Sequence, residues 1–395
     1  MGHHVLIHSI PANGHVLPTL AIVAELVRKG HRVTYPMVGD FARMVESVGA
    51  TVLPYDSVDP VSVVSGPESG RAPLVFLEEN LAQIAAAEKH LADDVPDLVL
   101  YDGVAMQAGR VLAKRWSRPA VRLSPVFASN EHYSFVQKMM EAAGPVDMGT
   151  DAMAEFGEKL GRLLLTNGFE ESVQEFMAHV EDLTIVLVPR AFQPAGDTFD
   201  ERFAFVGPCL ADRDFLGEWH PPVSGLPTAL VSLGTVNNRD AGFFKATIDA
   251  FTDLPWHAVV SVGNGIDPAE LGDLPDNVEV RRWVPHLTVL EHAELAVTHA
   301  GMGGVMEALR WGRPMVAVPP FPDVVPNAER LAELELGVVL RPADVTAERL
   351  RNAILRVSGD KEIVNRTREM SERIREAGGA REVVARIEGH LERVA

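Results

Sequence analysis

Two doubly wound α/β domains, each a parallel sheet covered by helices on both faces, are the architecture this sequence predicts. Three observations carry the prediction. Short apolar runs alternate with helical spacing twice over, once before residue 124 and again from Ala229. A stretch rich in Pro, Gly and charge, Gly207–Pro227, separates the two series. The chain has 395 residues, beyond the roughly 100–200 of a single domain.

The first series opens with Val5-Leu6-Ile7, a short apolar run suited to a buried parallel strand. Ile10–Gly14 breaks it, Pro18 suits the first turn of a helix, and Leu20, Val23, Ala24 and Val27 keep helical spacing up to Gly30. Val33-Thr34-Tyr35 completes a strand–helix–strand unit. The alternation continues with helices near Phe41–Val48, Leu74–Leu91 and Val104–Trp116, and strands at Thr51–Leu53, Leu98–Leu100 and Ala120–Leu123. Residues 126–182 are rich in helix formers and predict helices lying over the first domain. The second series predicts strands at Ala229–Leu233, Ala258–Val262, Val278–Arg282, Leu295–Thr298 and Met315–Val318. Its helices are expected near Ala241–Phe251, Met302–Trp311 and Ala328–Leu336, with a helical tail broken at Gly378-Gly379. The expected division is residues 1–215, 227–375 and a C-terminal helix over 376–395 that packs back on the first domain.

Composition narrows the function. A formal net charge of -19 repels nucleic acid and anionic membranes, so neither is expected as a partner. The single cysteine, Cys209, excludes an intrachain disulfide framework. The start lacks the features of a signal peptide, and no apolar run nears the ~18 residues of a membrane span; a cytoplasmic protein is expected.

In open α/β sheets, ligands bind beyond the carboxyl ends of strands. The chemistry-bearing residues fall there. Asn13-Gly14-His15 comes after the first strand, and an imidazole titrating near neutrality can take a proton from an alcohol. Asp102 comes after Leu98–Leu100 and faces the same edge, where a carboxylate would orient that ring; a helix cap is the ordinary alternative. In the second series, His299-Ala300-Gly301-Met302-Gly303-Gly304 links a strand to a helix. Such a turn offers free amides to phosphate oxygens, although it also serves as a plain tight turn. Glu307 could accept from a ribose diol, and Trp283, next to Val284 and Pro285, could stack on a base. Ser232, Gly234 and Thr235 end the first strand of this series and could meet a diphosphate. Asp323 and Val324 sit in a loop stiffened by Pro319, Pro320, Pro322 and Pro326, suited to recognising a sugar.

Taken together, these residues resemble the macrolide and flavonoid type of UDP-sugar glycosyltransferase. The resemblance spans essentially the whole chain. It is carried by Ile10–Pro18, Pro96–Asp102, Trp283–Pro285, His299–Glu307, Asn327-Ala328-Glu329 and Glu376–Ala380. It implies the GT-B fold, two Rossmann-like domains facing across a cleft. It implies an inverting transfer that needs no metal or cofactor, from a UDP-sugar, with a dTDP-sugar as second choice, to a small apolar acceptor. His15 would be the general base and Asp102 its orienting partner. His299, Gly301, Gly303, Gly304 and Thr235 would hold the diphosphate, Glu307 the ribose, Trp283 the base and Asp323 the sugar. Phe76, Phe127, Phe135 and Met139 would line the acceptor, a macrolide, other polyketide or flavonoid. A monomer or homodimer is expected. Pro320, Val324 and His286 stand where the family commonly has Gln.

Three rival readings differ in kind. A nucleotide-sugar epimerase of the same fold would lack the apolar acceptor region. A dinucleotide oxidoreductase needs Gly-x-Gly-x-x-Gly after strand one, but Ser9–Val16 has only Gly14. A non-catalytic partner of another transferase should have lost His15 or the phosphate residues.

Overall fold

The computed structural model describes residues 2–64, 69–144, 150–211, 218–234, 239–252 and 254–394. The first sheet has seven parallel strands: β1 (His4–His8), β2 (Arg32–Pro36), β3 (Thr51–Leu53), β4 (Leu98–Asp102), β5 (Ala120–Ser124), β6 (Thr184–Val186) and β7 (Phe203–Phe205). Its helices are α1 (Asn13–Arg28), α2 (Gly39–Ser47), α3 (Pro60–Val64), α4 (Ala72–Leu91) and α5 (Met106–Trp116). α6 (Phe135–Ala143), α7 (Thr150–Thr166) and α8 (Val173–Ala178) come before β6. The second sheet has six: β8 (Thr228–Ser232), β9 (His257–Ser261), β10 (Val278–Arg281), β11 (Ala293–Thr298), β12 (Met315–Ala317) and β13 (Gly337–Val339). Around it lie α9 (Ala241–Thr252), α10 (His286–His292), α11 (Met302–Arg310), α12 (Val325–Glu333), α13 (Ala347–Gly359), α14 (Lys361–Glu376) and α15 (Gly379–Val394).

Alternation of side chains sorts each buried strand onto two cores. Val5 and Ile7 of β1 join Val16, Leu20, Val383 and Ile387 of α1 and α15, while Leu6 joins Ile84 and Val111 of α4 and α5. The strand orders are β3-β2-β1-β4-β5-β6-β7 and β10-β9-β8-β11-β12-β13. Each reverses direction between two central strands, β1 and β4 in one sheet and β8 and β11 in the other. These switch points open the crevices where ligands bind. A third apolar cluster crosses the domain junction, uniting Phe127, Val186 and Phe192 with Val284, Ala328 and Leu331.

The last helix returns to the first domain. Gly378 (φ +92) and Gly379 (φ +56) turn the chain in the left-handed region that glycine tolerates. Gly379 N–H then donates to the Val206 carbonyl at 2.8 Å, and His31 Nε2 meets Glu388 Oε1 at 3.1 Å. Among the described residues no helix is long and apolar enough to cross a membrane.

Several boundaries differ from the sequence reading. α1 begins at Asn13, so Pro18 lies inside it and His15 in its first turn rather than in a loop. Pro18 has no N–H to give the Gly14 carbonyl, a loss the helix start absorbs. α12 begins at Val325, ahead of the expected Ala328, with Pro326 in its first turn. β6, β7 and β13 add to the strands expected from the sequence: β6 follows the helical stretch over 126–182, and β7 and β13 close the edges of their sheets. Trp219, read as linker, is buried against the second domain and donates from Nε1 to Glu279 Oε2 at 3.2 Å.

Candidate functional site

β1 and β4 are neighbours at the first switch point, so the residues beyond the end of β1 stand beside those that end β4. His15 Nδ1 lies 2.8 Å from Asp102 Oδ2. A carboxylate only accepts, so Nδ1 carries the hydrogen and Nε2 keeps its lone pair. Asp102 is 2% exposed, and its Oδ1 accepts from Val104 N–H at 3.0 Å as the cap of the 3-10 turn after β4. Both readings of Asp102 therefore hold at once: one oxygen caps the turn and the other orients the histidine. Burial pulls the pKa of His15 down, but the charge and hydrogen bond of Asp102 outweigh it and leave the ring raised. The His15 side chain remains 25% exposed.

The second switch point places β8 beside β11. His299 comes directly after β11, with its ring between two glycines. A Cβ on Gly234 would come within 2.5 Å of it, and one on Gly301 within 2.3 Å. Gly234 also needs its left-handed φ of +79, a conformation its N–H bond to Ser232 Oγ at 3.2 Å helps hold. Gly303, at the start of α11, has nothing within 4 Å of where a Cβ would stand, and Gly304 only ordinary contact with Thr298. Burial and the nearby His286 push His299 down to about 4 despite a hydrogen bond with the Ser232 backbone. Its Nδ1 is buried with no hydrogen-bond partner among the described residues. His299 is thus held as a neutral ring that can still offer a hydrogen bond. Thr235 lies outside the described residues.

Glu307 is buried on α11, with His286 Nδ1 3.7 Å from its Oε2. Trp283 is 37% exposed, and its Nε1 donates to Asn264 Oδ1 at 3.1 Å, which fixes the indole at the rim. Asp323 is exposed, while Val324 is buried at the cap of α12.

Two expectations need correcting. Val284 is core, so only its backbone can meet a ligand. Phe127 is 2% exposed and stacks on Phe192 at 5.5 Å, so its ring is core and not open to a ligand. Phe76, Phe135 and Met139 stay partly exposed. Gly14 is open, with nothing within 4 Å of where a Cβ would stand, and Asn13 starts α1 beside it. α1 and α11 touch, so the His15 helix meets the helix of the glycine turn.

Sequence reasoning passed over Asn264 and Arg330. Asn264 carries no pattern, and Arg330 reads as an ordinary solvated position on α12.

The same organisation recurs in characterised proteins. The NDP-glycosyltransferase YjiC of Bacillus licheniformis is 40% identical over 99% of this chain and 98% of its own. This chain is a macrolide-type glycosyltransferase of the GT-B fold. The oleandomycin glycosyltransferase of Streptomyces antibioticus is 37% identical over 98% of this chain and 91% of its own. The crystal structure of the calicheamicin glycosyltransferase CalG4 superposes with a TM-score of 0.89 at 41% identity, with complete coverage of both chains. Residues 245–390 match the erythromycin biosynthesis protein CIII-like C-terminal domain.

Proposed function

We propose that this glycosyltransferase moves a sugar from a UDP-sugar to a hydroxyl of a large apolar natural product, inverting the anomeric centre without a metal. The observation that carries the reading is the His15–Asp102 pair at one switch point, on a helix that touches the helix of the glycine turn at the other. Relatives named for oleandomycin and calicheamicin support the acceptor class.

In this mechanism His15 Nε2 takes the proton from the acceptor hydroxyl as its oxygen attacks the anomeric carbon. The new oxygen–carbon bond forms on the face opposite the bond to the diphosphate, which breaks. Asp102 stabilises the imidazolium that results. Charge grows on the departing diphosphate, where the α11 amides, its helix dipole and a His299 hydrogen bond meet it. Glu307 accepts from the ribose, Trp283 stacks on the base and Asp323 accepts from the sugar.

The test is direct. The protein is incubated with a panel of UDP- and dTDP-sugars and with macrolide, polyketide and flavonoid acceptors, and each acceptor is weighed by mass spectrometry. A hexose-sized gain on an acceptor is expected. Consumption of nucleotide sugar with no acceptor gain across the panel argues against the proposal.

A further inference from the structure

Helix α12 touches three functional parts of the molecule at once. At its start lies the Asp323–Val324 loop. Asn327 Nδ2 then donates to the Ala300 carbonyl at 2.9 Å. Ala300 is a fully buried, left-handed residue (φ +66) between His299 and Gly301, and its own N–H donates to Thr298 Oγ1 at 3.2 Å. A residue without glycine's freedom holds that kink only when its neighbours dictate it, and Asn327 is one of them.

One turn further, Arg330 reaches into the first domain. Its Nε donates to the Phe192 carbonyl at 2.9 Å, and Nη2 to those of Ala191 at 3.1 Å and Gln193 at 3.3 Å. Its Nη1 pairs with Glu333 Oε2 at 2.8 Å. The three carbonyls belong to the loop after β6, which packs on the segment from Phe127 to α6 that is expected to shape the acceptor wall. The buried Gln193 side chain accepts from Ala128 N–H at 2.9 Å and donates to its carbonyl at 3.1 Å. Phe127, stacked on Phe192, meets Phe135 of α6 edge-on at 6.3 Å, and α6 packs on α12.

We propose that α12 is a strut holding the acceptor wall in register with the donor turn, and that Arg330 is its positioning residue at the domain junction. This rests on the reading that His299–Gly304 holds the donor. Arg330 takes no part in bond making. The guanidinium suits the task because its planar fork aims several N–H groups at once; a lysine ammonium spreads its donors differently.

The experiment compares the wild type with Arg330→Met and Arg330→Lys. Arg330→Met should raise the acceptor KM by about tenfold or more, the effect of losing one or more charge-assisted hydrogen bonds. UDP affinity should stay close to wild type, and a larger share of UDP-sugar should be lost to water. Arg330→Lys should recover part of the loss. Hydrogen exchange gives a readout without turnover. In the wild type, UDP should slow exchange both in 299–307 and in 128–143; in Arg330→Met only the first should remain. Protection of 299–307 alone in the wild type overturns the strut. So does an Arg330→Met enzyme whose UDP affinity and acceptor KM worsen together. Absence of protection at 299–307 in the wild type strikes instead at the donor-site reading beneath it.

Discussion

His15 and His299 stand at the switch points of the two sheets but on opposite sides of them: His15 in the first turn of α1 after β1, His299 directly after β11, the counterpart of β4. Their surroundings separate them. His15 meets a buried carboxylate at 2.8 Å and is raised. His299 sits between two glycine backbones near another imidazole, and is pushed down to about 4. The same ring is thus made more basic in one crevice and held neutral in the other. A strand end supplies only the position; the partner across the switch point supplies the chemistry.

The comparison breaks most visibly at His15. His15→Ala should lose roughly 10²–10⁴-fold in turnover, the usual contribution of a general base. Donor affinity should barely move. Asp102→Asn should also be slower, and its pH profile should shift. The base acts when neutral, so the rate rises with pH through the His15 pKa. Removing the carboxylate lowers that pKa and moves the acid limb to lower pH while the plateau falls. An Asp102→Asn profile with an unmoved acid limb contradicts the electrostatic role of Asp102. Strongly acidic phenols, which lose a proton unaided, are unsuitable acceptors for this test.

Much of this arrangement was legible in the sequence, and the limits have physical causes. The strands around both switch points are continuous apolar runs buried on two faces, so Val5–Ile7, Leu98–Leu100, Ala229–Leu233 and Leu295–Thr298 stand out in the sequence. With them came the positions of His15, Asp102 and His299. β6, β7 and β13 are three residues each, as are the expected β3 and β12, so it is their place after the helical stretch or at a sheet edge, not their length, that sets them apart. The state of His299 was hidden, because it depends on Gly234 and His286, brought near by β8 and α10 rather than by chain neighbours. Phe127 was misplaced for a related reason. Apolar side chains that line a pocket and those of the core look alike in sequence.

His299 offers the next test. His299→Ala should raise the KM for UDP-glucose roughly 10–150-fold, the equivalent of the ~1.5–3 kcal/mol of a hydrogen bond to a charged group. The comparison adds a sharper point. With its pKa depressed to about 4, His299 of the free enzyme is neutral above pH 5, so donor binding shows a limb near 6.5 from this ring only if the bound diphosphate draws a proton onto it. Calorimetry with UDP-glucose across that range checks it. A limb near 6.5 that disappears in His299→Gln would show a charged His299 at work.

Glu307 carries a smaller effect. A deoxyribose lacks the 2′-hydroxyl, so UDP should compete better than dTDP by about 1.5–3 kcal/mol, the value of a hydrogen bond to a carboxylate. In Glu307→Gln the preference should shrink toward the ~0.5–1.5 kcal/mol of a neutral one. His286 lies 3.7 Å from this carboxylate, so a His286→Gln control shows whether the imidazole competes with the ribose. Tighter inhibition by dTDP in the wild type would falsify the ribose role.

The smallest effect is expected at Val324, where the family commonly has Gln. Glutamine offers sugar hydroxyls a donor and an acceptor; valine offers neither. A hydroxyl left unpaired against buried apolar surface costs about 1–3 kcal/mol. The enzyme should therefore favour a donor lacking that hydroxyl, or discriminate little there. Val324 is buried at the cap of α12, so Val324→Gln also inserts a longer polar side chain into packed surroundings. Two measurements separate the consequences. Thermal unfolding reports the packing cost, which falls on the protein whatever the donor. The ratio of rates with UDP-glucose and with a deoxysugar donor reports recognition, because a general loss of stability cancels from it. Val324→Gln should shift that ratio toward UDP-glucose. A lowered midpoint with an unchanged ratio means that Val324 packs the helix start without reading the sugar, and leaves Asp323 as the side chain of this loop that does.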